Sequence, residues 1–266
     1  MTHSEENPFA VITGASSGIG YELARQLAAQ GYDLLLVAED AGIEEAAADL
    51  RRDGRNVITA VRADLARHDG VLKAWYAVEE SGRSVDVLAL NAGRGIGGEF
   101  VGGTDLADEL NVIDVNVTST VHLAKLALPA MVARGRGRVL ITSSIASMMP
   151  GTYQAVYNAS KSFVQSFAEA LRAELKDSGV TVTSLMPGPT DTNFFHRAEM
   201  DDTRVGASDK DDPAQVAEQA IRALLDGKEK VLAGSLSTRA QAVASKVAPD
   251  KVKAEMHRRM AEPGSA

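Results

Sequence analysis

The chain has 266 residues, a formal charge of −8, 45% hydrophobic and 24% charged residues, and no cysteine. Disulfides, thiolate metal sites and cysteine nucleophiles are therefore excluded, and an acidic chain lacks the Lys/Arg excess on which nucleic-acid binding draws. No apolar run approaches the roughly 20 residues of a membrane span, and the opening "MTHSEENP" lacks the apolar segment of a signal peptide, so a cytoplasmic soluble protein is expected.

In chain order, the first strand-like run is "FAVIT" at 9–13, followed by "TGASSGIG" and the amphipathic "GIGYELARQLAAQG". Ile19, Leu23 and Leu27 make a helical stripe that Gly31 ends. Gly14, Gly18 and Gly20 thus lie between a buried strand and a helix start. Glycine allows backbone to approach a phosphate closely, and the helix start offers unpaired N–H groups. Ser16 and Ser17 add hydroxyl donors.

The second run, "DLLLVA" at 33–38, leads into Glu39, nineteen residues after Gly20. An acid at that point meets an adenosine ribose; it accepts from a free 2′-OH and repels a 2′-phosphate. This favours NAD over NADP. An exposed acid at a helix start is the other reading, and Arg62 leaves a phosphate partner open.

Further runs are "NVITAV" (56–61), "VDVLAL" (85–90), "GRVLIT" (137–142), "VTVTSLM" (180–186) and "KVLA" (230–233). Continuous apolar runs suit strands buried on both faces. Their alternation with helix-length segments implies an α/β fold, a doubly wound parallel sheet with helices on both faces. The regularity runs over 8–233 without a linker, so 1–266 is read as one domain. The stretch 188–212 is long, polar and irregular, as mobile substrate loops are. The tail 235–266 reads as one or two helices divided by Pro249, either solvated, at an interface or on a membrane surface.

"NAGRGIGG" at 91–98 contains Gly93-x-Gly95-x-x-Gly98, formally a dinucleotide fingerprint. No helical stripe follows it, so no helix start faces its glycines. Gly95, Gly97 and Gly98 read as a pliable rim, with Arg94 and Ile96 facing a substrate cleft.

"ITSSIASMMPGTYQAVYNASK" supplies Ser144, Tyr157 and Lys161. With "TGASSGIG", "NAG" at 91–93 and Asn116 in "DVNVTS", the sequence strongly resembles the short-chain dehydrogenase/reductase family of the Tyr-x-x-x-Lys type. The resemblance implies a Rossmann-like sheet of about seven strands and an oxidoreductase using NAD or NADP on a carbonyl/alcohol pair. It implies catalytic roles for Asn116, Ser144, Tyr157 and Lys161, with Asn116 holding a relay water. Cofactor contacts are implied at Gly14, Ser16, Ser17, Gly18, Ile19, Gly20, Asp64, Leu65, Asn91, Ala92, Gly93, Tyr157, Lys161, Pro187, Gly188, Thr190 and Thr192. Asp64 would bond the adenine amino group. Glu39 departs from the Arg of the family's NADP users.

Tyr157 and Lys161 share one helix face. A lysine cation nearby lowers a tyrosine pKa, which would tune Tyr157 as a general acid/base. Ser144 would stabilise the developing oxyanion. Ser143 is its rival, but consecutive residues on an extended segment face opposite ways, and Ser144 has the family's thirteen-residue spacing to the tyrosine. Tyr153 is the rival tyrosine, without a lysine four residues on.

Candidate substrate residues are Arg94, Ile96, Met148, Met149, Tyr153, Phe194 and Phe195, an apolar, adaptable set; the two phenylalanines could equally anchor the loop. A steroid, a sugar, a ketone and an acyl thioester stay equally open. The five histidines are scattered, so no metal site is expected; His122 reads as following a helix. Family members form dimers or tetramers through helices equivalent to 106–132 and 156–176, so a homodimer or homotetramer is expected. A non-catalytic dinucleotide sensor and an acyl-carrier-protein ketoreductase, which would need a basic docking patch, are the alternatives.

Overall fold

The continuous apolar runs become the strands of one parallel sheet, buried from both sides as their composition requires. In this computed structural model, which describes residues 7–54, 56–245 and 248–266, the strands are β1 (Phe9–Thr13), β2 (Asp33–Ala38), β3 (Ile58–Arg62), β4 (Val87–Leu90), β5 (Gly137–Thr142), β6 (Val180–Pro187) and β7 (Lys230–Ala233). β3 starts two residues later than the apolar run suggests. Val57 is exposed there, and its N–H donates to the Asp33 carboxylate at 2.8 Å instead of joining the strand.

Among the described residues the sheet has seven strands in the order β3-β2-β1-β4-β5-β6-β7, every pair parallel. The order reverses between β1 and β4. At such a switch point successive crossovers leave to opposite faces, and a crevice opens beyond the carboxyl ends of the strands.

The helices are α1 (Gly18–Ala29), α2 (Gly42–Leu50), α3 (His68–Glu80), α4 (Leu106–Ile113), α5 (Ser119–Ala133), α6 (Ala155–Glu174), α7 (Phe194–Arg197), α8 (Arg204–Ala207), α9 (Pro213–Leu225), α10 (Leu236–Ser245) and α11 (Asp250–Ala261). One core lies under α3, α5 and α6, built from residues such as Val71, Leu123, Met131 and Val164 against Leu35, Leu88 and Val139. The other lies under α1, α2 and α9, where Leu23, Leu27, Ile43 and Ile221 meet Leu34, Leu36 and Leu140. The Leu23/Leu27 stripe is fully buried, and Gly31 closes the turn at φ +86°.

Three regions differ from the sequence reading. His122 lies inside α5 and stacks on His68 with ring centroids 4.9 Å apart. The stretch 188–212 is packed rather than loose: Phe195, Ala198, Met200 and Thr203 are buried, and Thr190 bridges Asp211. The tail forms two helices as expected, but α11 is no solvated appendage. Thr152 donates to Ala254 O at 3.1 Å, and Gly264 N–H to Asp202 at 2.8 Å, so the tail is tied to two loops above the sheet. Among the described residues no helix is long and apolar enough to cross a membrane.

Candidate active site

The chain turns immediately after β1. Gly14 and Gly18 take φ of +66° and +56°, backbone that side chains avoid. Gly14 and Ala15 both donate to Val37 O, at 2.8 and 3.2 Å, pinning the loop to β2. Gly20 has no room for a side chain: a Cβ would stand 2.0 Å from Gly14 O. α1 begins with Ser17 as its N-cap and no side chain capping it. Ser17, Gly18, Ile19 and Gly20 border the crevice, so the first-turn N–H groups and the positive end of the helix dipole face it. That arrangement takes an anion. Ser16 differs from the sequence reading, since its hydroxyl donates to Asp40 at 2.7 Å.

The crevice is a cleft of about 1050 Å³ along the strand ends. Ala38, Glu39 and Asp40 border it beyond β2, and Ala63 and Leu65 beyond β3. Asp64, between them, turns its carboxylate onto Ala66 N–H at 2.9 Å and is not a wall residue. Beyond β4, Asn91 ties three strands together. Its backbone N–H donates to the Thr13 hydroxyl at 2.9 Å, its amide to Thr13 O at 3.2 Å, and its carbonyl oxygen accepts from Thr142 at 3.0 Å.

Deeper in the cleft, β5 and α6 bring together Ser144, Tyr157 and Lys161, all buried. Lys161 Nζ donates to Thr142 O at 2.9 Å and lies 5.9 Å from the centre of the Tyr157 ring. The two serines separate as their alternation requires. Ser143 donates to Lys161 O at 3.0 Å, locking β5 to α6, whereas Ser144 lies beside Tyr157 and accepts from Ala146 N–H at 3.1 Å. Asn116 sits in a π-helical turn, Asp114–Thr118, between α4 and α5; such turns recur at functional sites. Its amide donates to Arg94 O at 2.9 Å and to Ser160 Oγ at 2.8 Å, and its oxygen accepts from Arg94 N–H at 2.8 Å.

A phosphate-ready helix start and a Ser–Tyr–Lys group at one switch-point cleft agree with the comparison to known families. Residues 8–203 match the short chain dehydrogenase family. The chain belongs to this family. An uncharacterized oxidoreductase of Staphylococcus saprophyticus is 33% identical over 220 residues, covering 82% of this chain and 92% of that one. A sulfoacetaldehyde reductase of Chromohalobacter salexigens is 35% identical over 184 residues, 69% and 72% of the two chains. A short-chain dehydrogenase of Sphingobium yanoikuyae, solved with NADPH, superposes with a TM-score of 0.78 at 29% identity, covering 89% and 92%.

This short chain dehydrogenase is an oxidoreductase of CH–OH/C=O groups that uses NAD or NADP. Its residues fit a dinucleotide. The uncapped start of α1 offers donors to phosphate, and small residues keep the cleft clear, since a Cβ on Gly93 would come 3.1 Å from Lys161 Nζ. Pro187, Gly188, Thr190 and Thr192 border the same cleft past β6.

The substrate candidates divide. Met149, Phe194 and Phe195 border the cleft, and the Phe194 ring lies 5.2 Å from that of Tyr157. Ile96 does not face the cleft; it is buried with Val112 against Tyr157. Arg94 borders the cleft, and its guanidinium is held by Asp108 at 2.6 Å and Asn111 at 3.0 Å, where a carboxylate offsets its charge. Met148 is not a wall residue. Tyr153, held at φ +65°, packs beside Phe195 and Met200 rather than lining the entrance. The rim glycines are not pliable: a Cβ on Gly95 would strike Phe194 at 2.5 Å, and one on Gly97 would strike Met200 at 2.5 Å. They are small so that the 194–200 segment can lie on them. The sequence reading missed Asp40, signalled only by its place beside Glu39, and His257, Met260 and Ala261 of α11, which border the cleft from the far end of the chain.

The electrostatics also depart from expectation. Burial pushes Tyr157 up to about 12, with the Ser144 hydroxyl pulling the other way, and burial pushes Lys161 down to about 8. Removal from water penalises the tyrosinate and the ammonium alike, and the lysine does not offset this for the tyrosine. The folded protein therefore gives up the Lys161 proton before the unfolded chain does. Stability should rise between pH 8 and the unfolded value of 10.5. Tyr157 acts oppositely, removing stability as pH climbs from 10 to about 12. Denaturant midpoints of the parent and of Lys161→Met, followed from pH 8 to 10, check the first term. The parent gains more than the variant; parallel profiles would refute it.

Proposed function

We propose that Tyr157 is the general acid/base of this oxidoreductase, acting with Ser144 and Lys161 on a carbonyl or alcohol held against Met149 and Phe194. The carrying observation is that these three groups lie buried together at the cleft where an uncapped helix start awaits phosphate. Bound nicotinamide supplies the hydride in reduction and accepts it in oxidation. Tyr157 gives its proton to the carbonyl oxygen as the alcohol forms, and takes it back in the reverse direction. A protonated phenol, which burial favours, suits the first role. Ser144 donates to the same oxygen as charge develops there. Lys161, fixed by its bond to Thr142 O, places its ammonium 5.9 Å from the centre of the Tyr157 ring, where it favours the tyrosinate left after proton transfer. Asn116 positions the Arg94 backbone through two hydrogen bonds and is itself tied to α6 by a third, to Ser160 Oγ.

NAD is the preferred dinucleotide in this reading. Glu39 and Asp40 form the wall beyond β2, two carboxylates where a 2′-phosphate would lie, while Arg62 spends its Nε–H on Glu39 O at 2.9 Å. The test is a panel of ketones and alcohols read at the nicotinamide absorbance with each cofactor, together with fluorescence titration of NADH and NADPH. Turnover is expected, with NADH bound about tenfold or more tightly, because a 2′-phosphate set against two carboxylates is repelled. No turnover on any substrate refutes the enzyme reading in favour of a sensor, and tighter NADPH refutes the role of Glu39.

A second reading, reduction of an acyl chain on an acidic carrier protein, is favoured by Arg197, Arg204 and Lys210 at the cleft mouth. It predicts that a carrier-linked ketoacyl group outperforms the same group on a small thiol. The family's homodimer or homotetramer is part of the proposal. Phe100, Leu106, Leu110 and Phe163 are exposed on and beside α4 and α6, apolar area of the kind a partner covers. Reliance on a dinucleotide that cells retain supports a cytoplasmic site.

A further inference from the structure

The far wall of the cleft comes from α11, outside the residues that match the family. His257, Met260 and Ala261 stand at i, i+3 and i+4, one helix face, and all three border the cleft. Ala261 packs with Phe195 and Phe194, and Phe194 meets the Tyr157 ring at 5.2 Å. His257 thus lies on the same apolar chamber as the reacting groups, beyond its phenylalanines.

Its ring is oriented by the protein. His257 is 5% exposed, and Nδ1 lies 2.9 Å from Thr152 O. A carbonyl oxygen only accepts, so Nδ1 carries the proton and Nε2 of the neutral ring is an acceptor. Burial lowers the pKa of this histidine, which keeps the ring neutral. Nε2 has no partner among the described residues and is not among the sealed, unpaired polar atoms, so it touches open space. His257 is a wall residue of the cleft.

We propose that His257 is a specificity residue whose Nε2 accepts a hydrogen bond from a hydroxyl or N–H group on the substrate, remote from the reacting carbon. The inference rests on the reading of the cleft as a carbonyl-reducing site. It narrows the substrate to an apolar body carrying a hydrogen-bond donor at the end away from the carbonyl. A carboxylate or phosphate there would find a lone pair rather than a proton.

The test compares acetophenone with its meta- and para-hydroxymethyl derivatives, on the parent enzyme and on His257→Asn. Asparagine keeps an N–H able to reach Thr152 O but has no atom at the Nε2 position, so the latch and the melting temperature are retained. The parent should favour at least one hydroxymethyl ketone by about tenfold in kcat/KM, the size of one net hydrogen bond. In His257→Asn that ratio should fall to near one, with dinucleotide affinity unchanged. The same ratio should appear in ketone affinity for the enzyme holding oxidised dinucleotide, where no reaction can proceed. No preference in the parent, or a preference that survives in the variant, overturns the proposal. A ratio seen in binding without turnover of any ketone supports the His257 assignment while refuting the oxidoreductase reading.

Discussion

Tyr157→Phe is expected to lose turnover by about three orders of magnitude, within the range that a positioned general acid contributes, while binding the dinucleotide as tightly as the parent. The substitution removes one oxygen and nothing else. The ring keeps its packing against Ile96 and Val112 and its contact with Phe194. The lost hydroxyl is buried, with Ser144 beside it, so its removal leaves no charge stranded. The loop at Gly14–Gly20, proposed to take the dinucleotide's phosphates, follows a different strand and is not disturbed by the variant. Absorbance assays give the first quantity and fluorescence titration the second. Activity within tenfold of the parent would remove Tyr157 from the chemistry. A parallel loss of cofactor affinity would make it a binding residue instead.

The parts of this fold that could be read from the sequence are those governed by local pattern. The strands are apolar on both sides because helices cover both faces, and that condition writes itself into runs such as "DLLLVA" and "VDVLAL". The glycine turn after β1 was legible for a similar reason. Its glycines are set by backbone conformation at 14 and 18 and by a steric limit at 20, all within one turn of chain. The choice between Ser143 and Ser144 followed from strand alternation and family spacing, and the two hydroxyls do point to different partners.

What escaped the sequence depends on contacts between distant segments. Arg94 does border the cleft, but nothing in its local sequence shows that Asp108 and Asn111 hold its guanidinium. Ile96 reads as a cleft residue until Val112 is seen to cover it. Gly95 and Gly97 look like a flexible rim, but their smallness answers to Phe194 and Met200, a hundred residues away. The segment "KVKAEMHRRMA" is dominated by charge, so its buried side, His257 and Ala261, gives no periodic apolar signal. The tyrosine's electrostatics escaped as well. Spacing places Lys161 on the tyrosine's helix face, yet burial of both groups outweighs the proximity.

Gly20→Ala should reduce dinucleotide affinity by about 30- to 150-fold, the effect of displacing two to three phosphate-facing donors worth about 1 kcal/mol each. The added methyl would lie 2.0 Å from Gly14 O and 2.6 Å from the Asn91 amide. Neither neighbour can retreat. Gly14 is bonded through its N–H to Val37 O, and a Cβ of its own would already meet Ala92 at 2.9 Å. Asn91 is bonded to Thr13 and Thr142 on the flanking strands. The start of α1 must therefore swing away from β1, carrying its uncapped N–H groups out of line with the cleft. Gly42→Ala is the matched comparison. It also adds one methyl at the start of a helix, but the near atom is a single oxygen of the exposed Asp40 side chain at 2.8 Å, and a shift of a few tenths of an ångström in that side chain admits the methyl while its bonds to Ser16 and Gly42 N–H are kept. Alanine is the better helix former by about 1 kcal/mol, so that variant should bind the cofactor normally and melt no lower than the parent. Titration of both variants with NADH decides the matter. Equal affinities would mean that the Gly14–Gly20 loop is not the phosphate cradle.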